Sequence, residues 1–191
     1  MGVFYRAHDG ELWRDVALKL LTQVTEHGRE RFRREAELLA QLRHPNVVRL
    51  HSAGLAGPTP YLILELVAGE SLSARLTRDG PLESREAARL TQGLADGLQH
   101  AHEHGVLHRD VKPGNVLLRG DSPLLTDFGL AKDVQHDRGA LTQTGQVMGT
   151  PAFMPPEQAR ADAAELGPAT DVYSLGATLY AMLTGQPPFR G

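Results

Sequence analysis

The character of this chain changes near Ala68-Gly69, from strands around a single helix to a helix-rich part, a pattern that fits a small sheet joined to a helical body. Before it, residues 3–7 and 11–21 mix β-branched and aliphatic side chains and predict two strands around a turn at His8-Asp9-Gly10. Residues 29–42 put Phe32, Ala36, Leu39 and Leu42 on one helical face, with Glu30/Arg34, Arg31/Glu35 and Arg33/Glu37 at i,i+4, and His44-Pro45 stops that helix. Residues 46–51 and 61–67 predict two further strands, separated by a Gly/Pro-rich turn from Ala53 to Pro60. After the change, Ser84–His104 carries Ala87, Leu94, Leu98 and Ala101 at helical spacing. Val172–Leu183 reads as a helix that is apolar nearly all round. Short β-like pieces fall at 106–107, 116–118 and 124–125. The stretch from Lys132 to Gly149 is long for a connection without structure of its own and reads as functional.

Charge and composition remove several classes of function. With a net charge of -3, nothing pulls the chain toward nucleic acid or an anionic membrane. It has no cysteine, hence no disulfide, no thiolate metal site and no thiol nucleophile, which fits a reducing compartment. No run reaches the roughly 18 apolar residues of a membrane span, and Met1–Asp9 has no signal-peptide core, so a cytoplasmic location is expected, with tethering through a segment beyond Gly191 as its variant. His100 and His104 share a helical face, but no Cys or carboxylate completes a metal site and a scaffold helix is the expected reading.

The chemistry concentrates in His108-Arg109-Asp110-Val111-Lys112-Pro113-Gly114-Asn115 and in Asp127-Phe128-Gly129. Either triplet alone reads as a charge cluster or a turn. In this order they provide what phosphoryl transfer requires: a carboxylate to orient the attacking hydroxyl, oxygen ligands for a cation, and positive charge against the phosphoryl oxygens. The two runs resemble the catalytic loop and metal-binding triplet of the eukaryotic-like (Hanks-type) bacterial serine/threonine protein kinases, and Lys112, two residues after Asp110, resembles the serine/threonine branch.

That resemblance implies an α+β, bilobal protein-kinase-like fold. A small antiparallel β-sheet lobe with one helix would occupy residues 1–68 and a mainly helical lobe residues 69–191, both truncated. It makes Asp110 the catalytic base, sets Lys112 on the γ-phosphate of ATP, and gives Asn115 and Asp127 to Mg²⁺ or Mn²⁺. Val16-Ala17-Leu18-Lys19 resembles the strand whose lysine holds the α- and β-phosphates, with Glu35 as ion-pair partner and Glu37 as its competitor. Gly2 and Phe4 stand at the end of the Gly-rich loop, Ala17 and Leu117 enclose adenine, Leu64 is the gatekeeper, and Glu65 and Val67 offer backbone groups.

Residues 132–157 resemble an activation segment closing at Gly149-Thr150-Pro151 and Pro155-Pro156-Glu157. Thr142 and Thr144 are its phosphorylation positions, Arg109 the partner of that phosphate, and Thr150 lines the target groove. Asp171 is expected as an N-cap that also braces the catalytic loop. Because the matching region lacks the first strand and the late helices, Glu157 is expected to be unpaired and apolar surface uncovered. The implied partners are ATP, protein substrates and a second copy of the domain. The implied activity is transfer of phosphate to Ser/Thr hydroxyls, its own loop included. The competing readings are a non-catalytic kinase-fold binding module, which would lose one of these residues, and a small-molecule phosphotransferase, which would lack the Gly-Thr-Pro and Pro-Glu signals.

Overall fold

A computed structural model describes residues 2–21, 26–128, 151–160 and 165–189. Strands β1 (Gly2–Asp9), β2 (Arg14–Leu21), β3 (Leu50–Ala56) and β4 (Thr59–Glu65) form an antiparallel sheet in the order β1-β2-β4-β3. Helix α1 (Glu26–Gln41) packs on it chiefly through β3, burying Phe32, Ala36, Leu39 and Leu42 as its spacing predicts. Its Glu30 and Arg34 form the expected i,i+4 pair at 3.9 Å, both exposed, so the pair adds little to stability.

The helical part contains α2 (Leu72–Asp79), α3 (Ser84–Glu103), a short α4 (Pro156–Ala159) and α5 (Pro168–Thr184). A second sheet of β5 (Glu70–Ser71), β6 (Val116–Arg119) and β7 (Ser122–Leu125) lies beside α3. The two parts are stitched through β7: Val48 donates to the Leu125 carbonyl at 2.9 Å, and Leu125 donates to the Asn46 carbonyl at 2.8 Å. At the boundary Gly69 passes so close to the Leu118 carbonyl that a Cβ would sit 1.9 Å from it, so no other residue fits. One continuous core results, from Phe32 and Leu62 through Leu72, Leu94 and Val116 to Leu175 and Met182.

Several expected boundaries move, each for a local reason. The first turn lies at 10–13 rather than 8–10, because the Asp9 carboxylate accepts from the amides of Glu11 and Leu12 and closes the turn after itself. Strand β3 begins at Leu50 and runs through Ala56, where a turn was expected, so the β3–β4 connection shrinks to Gly57-Pro58. Residues 106–107 are not a strand. Gly105 takes a φ of +73° and the Val106 amide turns back to the Ala101 carbonyl, ending α3 in a Schellman motif.

Helix α2, absent from the periodicity reading, is capped by Ser71, whose Oγ accepts from the Ala74 amide at 3.1 Å. Helix α5 starts four residues earlier than expected, with Pro168 in its first turn after Gly167, which places Asp171 inside the helix rather than at its cap. Its apolar surface is not buried all round: Val172, Tyr180 and Leu183 are 62%, 47% and 41% exposed. Glu157, by contrast, is not left unpaired, since the Thr170 hydroxyl donates to its Oε1 at 3.0 Å.

Candidate active site

The catalytic-loop residues are held by one carboxylate from below. Asp171 is fully buried in the first turns of α5; its Oδ2 accepts from the His108 amide at 2.8 Å and its Oδ1 from the Arg109 amide at 2.7 Å. His102 Nε2 meets the same Oδ2 at 2.8 Å, tying α3 into the brace. Arg109 adopts a left-handed φ of +60°, sparsely populated for a side-chain-bearing residue, and its carbonyl accepts from Gln158 Nε2 at 3.0 Å. Clamping Arg109 from both sides fixes the direction in which Asp110 leaves the backbone.

His108 completes the support. Fully buried against Phe128, with ring centroids 4.5 Å apart, it donates from Nε2 to the Thr126 carbonyl and accepts at Nδ1 from the Asp110 amide at 3.3 Å. Both bonds require the neutral ring. Burial is the first cause that lowers its pKa below the ordinary histidine value, against the opposing pull of Asp171 and Asp110. A histidine whose folded pKa is lowered contributes stability that is fully present above the unfolded value of about 6.5 and is lost as pH falls toward the folded value. The melting temperature is therefore expected to fall as pH drops below about 6.5. In His108→Gln the profile should be flatter than wild type; an identical slope for both proteins would refute this role.

The polar side chains singled out in the sequence meet next to this support. Asp110 Oδ2 accepts from Asn115 Nδ2 at 2.8 Å and pairs with Lys112 Nζ at 2.9 Å. Asn115 Nδ2 spends its other hydrogen on the Asp110 carbonyl at 2.9 Å, so both amide hydrogens are used and only its Oδ1 is left to act as an acceptor. The next strand returns alongside: the Thr126 amide donates to the Asn115 carbonyl at 3.0 Å, placing Asp127 next to Asn115. Asp127, at φ +62°, directs its Oδ1 to Lys19 Nζ at 2.7 Å, while its Oδ2 has no hydrogen bond among the described residues. Asn115 Oδ1 and the Asp127 carboxylate form a hard-oxygen donor set, the type that suits Mg²⁺ or Mn²⁺.

Lys19 differs from its expected pairing. It sits on β2, 7% exposed, and among the described residues its ion pair is with Asp127 rather than Glu35. Glu35 lies on α1 with a partner of its own. Phe4 on β1 lays its half-exposed ring 5.1 Å from Lys19 Nζ, a cation–π contact in place of a purely apolar lid. Gly2 is paired opposite Leu21, and a Cβ there would meet Lys19 Cε at 2.9 Å.

Ala17 and Leu64 stand opposite one another across β2 and β4, and Glu65 and Val67 follow at the end of β4. Leu117 lies on β6, opposite Ser71 of β5 and Leu124 of β7. Behind Lys19 a cavity is bounded by Leu39, Val47, Leu62, Leu64 and Phe128. Thr142, Thr144, Thr150 and Gly129 lie outside the described residues. His100 stacks between His44 and His104 at 5.3 and 4.4 Å.

Sequence reasoning missed Gln158, Thr170 and Arg119. Only Thr170 carried a signal, as a hydroxyl one position before Asp171 at the start of an apolar helix.

Comparisons with known proteins agree with this geometry. The model of the family described as protein kinase domain matches residues 1–191. The serine/threonine-protein kinase PknB of Mycolicibacterium smegmatis is 39% identical over 199 residues, covering 100% of this chain and 32% of the relative. PknA of Mycobacterium tuberculosis, also a serine/threonine-protein kinase, is 43% identical over 200 residues, covering 100% of this chain and 46% of its own length. The chain thus spans about a third to a half of these curated relatives. A crystal structure of Rad53 1–466 in complex with AMP-PNP superposes with a TM-score of 0.80 at 25% identity, covering 100% of this chain and 46% of that one.

Proposed function

The chain belongs to the protein kinase domain family, and from that premise we propose that it transfers the γ-phosphate of ATP to serine and threonine hydroxyls of proteins. The observation that carries the proposal is the convergence of Asp110, Lys112, Asn115, Asp127 and Lys19 through direct contacts on one buried support. In this reading residues 1–68 are the small lobe and 69–191 the large lobe, and nucleotide lies between Ala17 and Leu117, below Leu64. Binding of AMP-PNP by the structurally similar Rad53 supports that placement.

Asp110 aligns the incoming hydroxyl, takes its proton as the new O–P bond forms and the γ-phosphorus bond to the bridging oxygen breaks with ADP as the leaving group, and stays oriented by Asn115 Nδ2. Lys112, already 2.9 Å from that carboxylate, is positioned to offset negative charge on the transferred group. Asn115 Oδ1 and Asp127 would hold Mg²⁺ or Mn²⁺, which when bound neutralises phosphate charge. Lys19 must leave Asp127 to serve the phosphates, and Glu35 is the acceptor proposed to hold it in that second position. Phosphorylation at Thr142 or Thr144, read through Arg109, and a role for Thr150 in the target groove belong to the same proposal, as do protein substrates, signalling and a bacterial source.

The test is incubation with γ-labelled ATP, divalent metal and a generic protein such as casein, followed by phosphoamino acid analysis. Phosphoserine and phosphothreonine are the expected products. Saturable nucleotide binding without any transferred label would leave the non-catalytic binding module instead.

A further inference from the structure

Between the segment Arg43–Arg49, the end of β4 and the β6–β7 pair lies a second pocket of about 320 Å³ whose lining is strongly basic. Arg43, Arg49 and Arg119 border it with His44, and Glu65 is its one carboxylate. Three guanidiniums against one carboxylate leave a local excess of two positive charges on a chain whose formal net charge is -3. The Glu65 side chain is already engaged with Arg119. Arg43 and Arg49, both exposed, have no ion pair or side-chain hydrogen bond among the described residues. The field reaches beyond the pocket: His51 is held below its ordinary pKa first by burial, then by Arg14 and Arg49.

The wall carrying these arginines is rigid. The Arg43 amide donates to His100 Nε2 at 3.2 Å, and the Asn46 side chain donates to the Pro123 carbonyl at 2.7 Å. On either side of Arg49, the Val48 amide is bonded to Leu125 and the Arg49 carbonyl accepts from the Glu65 amide at 2.9 Å. Backbone positions fixed in this way lower the ordering cost of binding.

We infer that this pocket is a docking site for an acidic peptide segment of a protein partner, with Arg43, Arg49 and Arg119 receiving its carboxylates. Pro45, Val47 and Leu124 supply apolar contact for side-chain methylenes, whereas the lining offers no Phe, Tyr or Trp on which a nucleic-acid base would stack. Of the lining, only Glu65 belongs to the nucleotide-facing set, through its backbone rather than its side chain, so docking here does not require phosphoryl transfer.

The probe is fluorescein-labelled hexaglutamate, titrated by anisotropy into the full chain at low salt. Arg43→Ala and Arg49→Ala should each weaken binding about tenfold, the range of a lost charge-assisted bond. Glu65→Gln, which releases Arg119, should tighten it several-fold. Because Arg43 and Arg49 are exposed and have no ion pair among the described residues, thermal melts of their variants should match wild type. Arg33→Ala on the exposed face of α1 serves as the charge-matched control and should leave affinity unchanged. Equal weakening by the control and pocket variants overturns the inference, as does a lack of hexaglutamate binding. So does tighter binding of a thymidine oligonucleotide of equal charge with the same arginine dependence.

Discussion

Asp171→Ala is expected to lower the melting temperature by on the order of 10 °C, a larger loss than most core truncations of similar volume would give. The carboxylate is fully buried and satisfies the His108 and Arg109 amides as well as His102 Nε2. Removing it strands two backbone donors in a dry site, and uncoupling a buried, hydrogen-bonded charge costs about 3–5 kcal/mol. Asp171→Asn should fall between wild type and alanine. Whichever way its amide turns, the nitrogen opposes one of the two backbone N–H groups, so at least one bond is lost.

A second readout separates this role from simple packing. Arg109 is kept at φ +60° by the bond to Asp171 on one side and by Gln158 on the other, and without the brace it can relax toward a commoner conformation, moving Asp110 with it. Amide exchange at residues 108–110 should therefore rise by more than at α3 or β6. A melting temperature within about 2 °C of wild type, which corresponds to under 1 kcal/mol, would overturn the assignment of Asp171 as the brace.

How much of this was legible beforehand depended on whether a signal was local. Strands β1, β2, β4, β6 and β7 and helices α1 and α3 follow from side-chain periodicity and overlap the expected segments, whereas β3 lies further along the chain than expected, β5 was not expected and 106–107 is not a strand. Their ends do not, because ends are set by contacts: Asp9 closing its own turn, Gly105 admitting a left-handed residue, Gly167-Pro168 starting α5 before its apolar stretch. Helix α2 was missed although Ser71 before Leu72 and Gly80 after Asp79 are ordinary start and stop signals, since eight residues are too few for periodicity to register.

At the site, the residue types and their order were readable because the chemistry demands them. Pairing across long separations was not. Lys19 and Asp127 are 108 residues apart, and whether Lys19 faces Asp127 or Glu35 is a property of the conformation, not of the motif. The Thr170 hydroxyl on Glu157 was likewise invisible, because it depends on how α4 docks against α5.

The largest effect on activity is expected from Asp110→Asn, which should reduce phosphoryl transfer by about 10²- to 10⁴-fold, the range for loss of a positioned general base. Asparagine keeps the volume and can still accept from Asn115 Nδ2 through its Oδ1, so folding and nucleotide binding should change little. What it cannot do is take a proton. It also removes the negative charge that holds Lys112 Nζ at 2.9 Å, so Lys112 is freed while the hydroxyl loses its acceptor. Lys112→Met is the informative companion. It should slow transfer by loss of charge compensation while leaving in place the carboxylate that accepts the hydroxyl proton, so its loss should be smaller than that of Asp110→Asn. Measured in single turnover with matched nucleotide occupancy, an Asp110→Asn protein that transfers phosphate at the wild-type rate would show that this carboxylate does not act on the hydroxyl. The geometry of Asn115 argues for the opposite outcome, because both its amide hydrogens are committed to holding Asp110 in place.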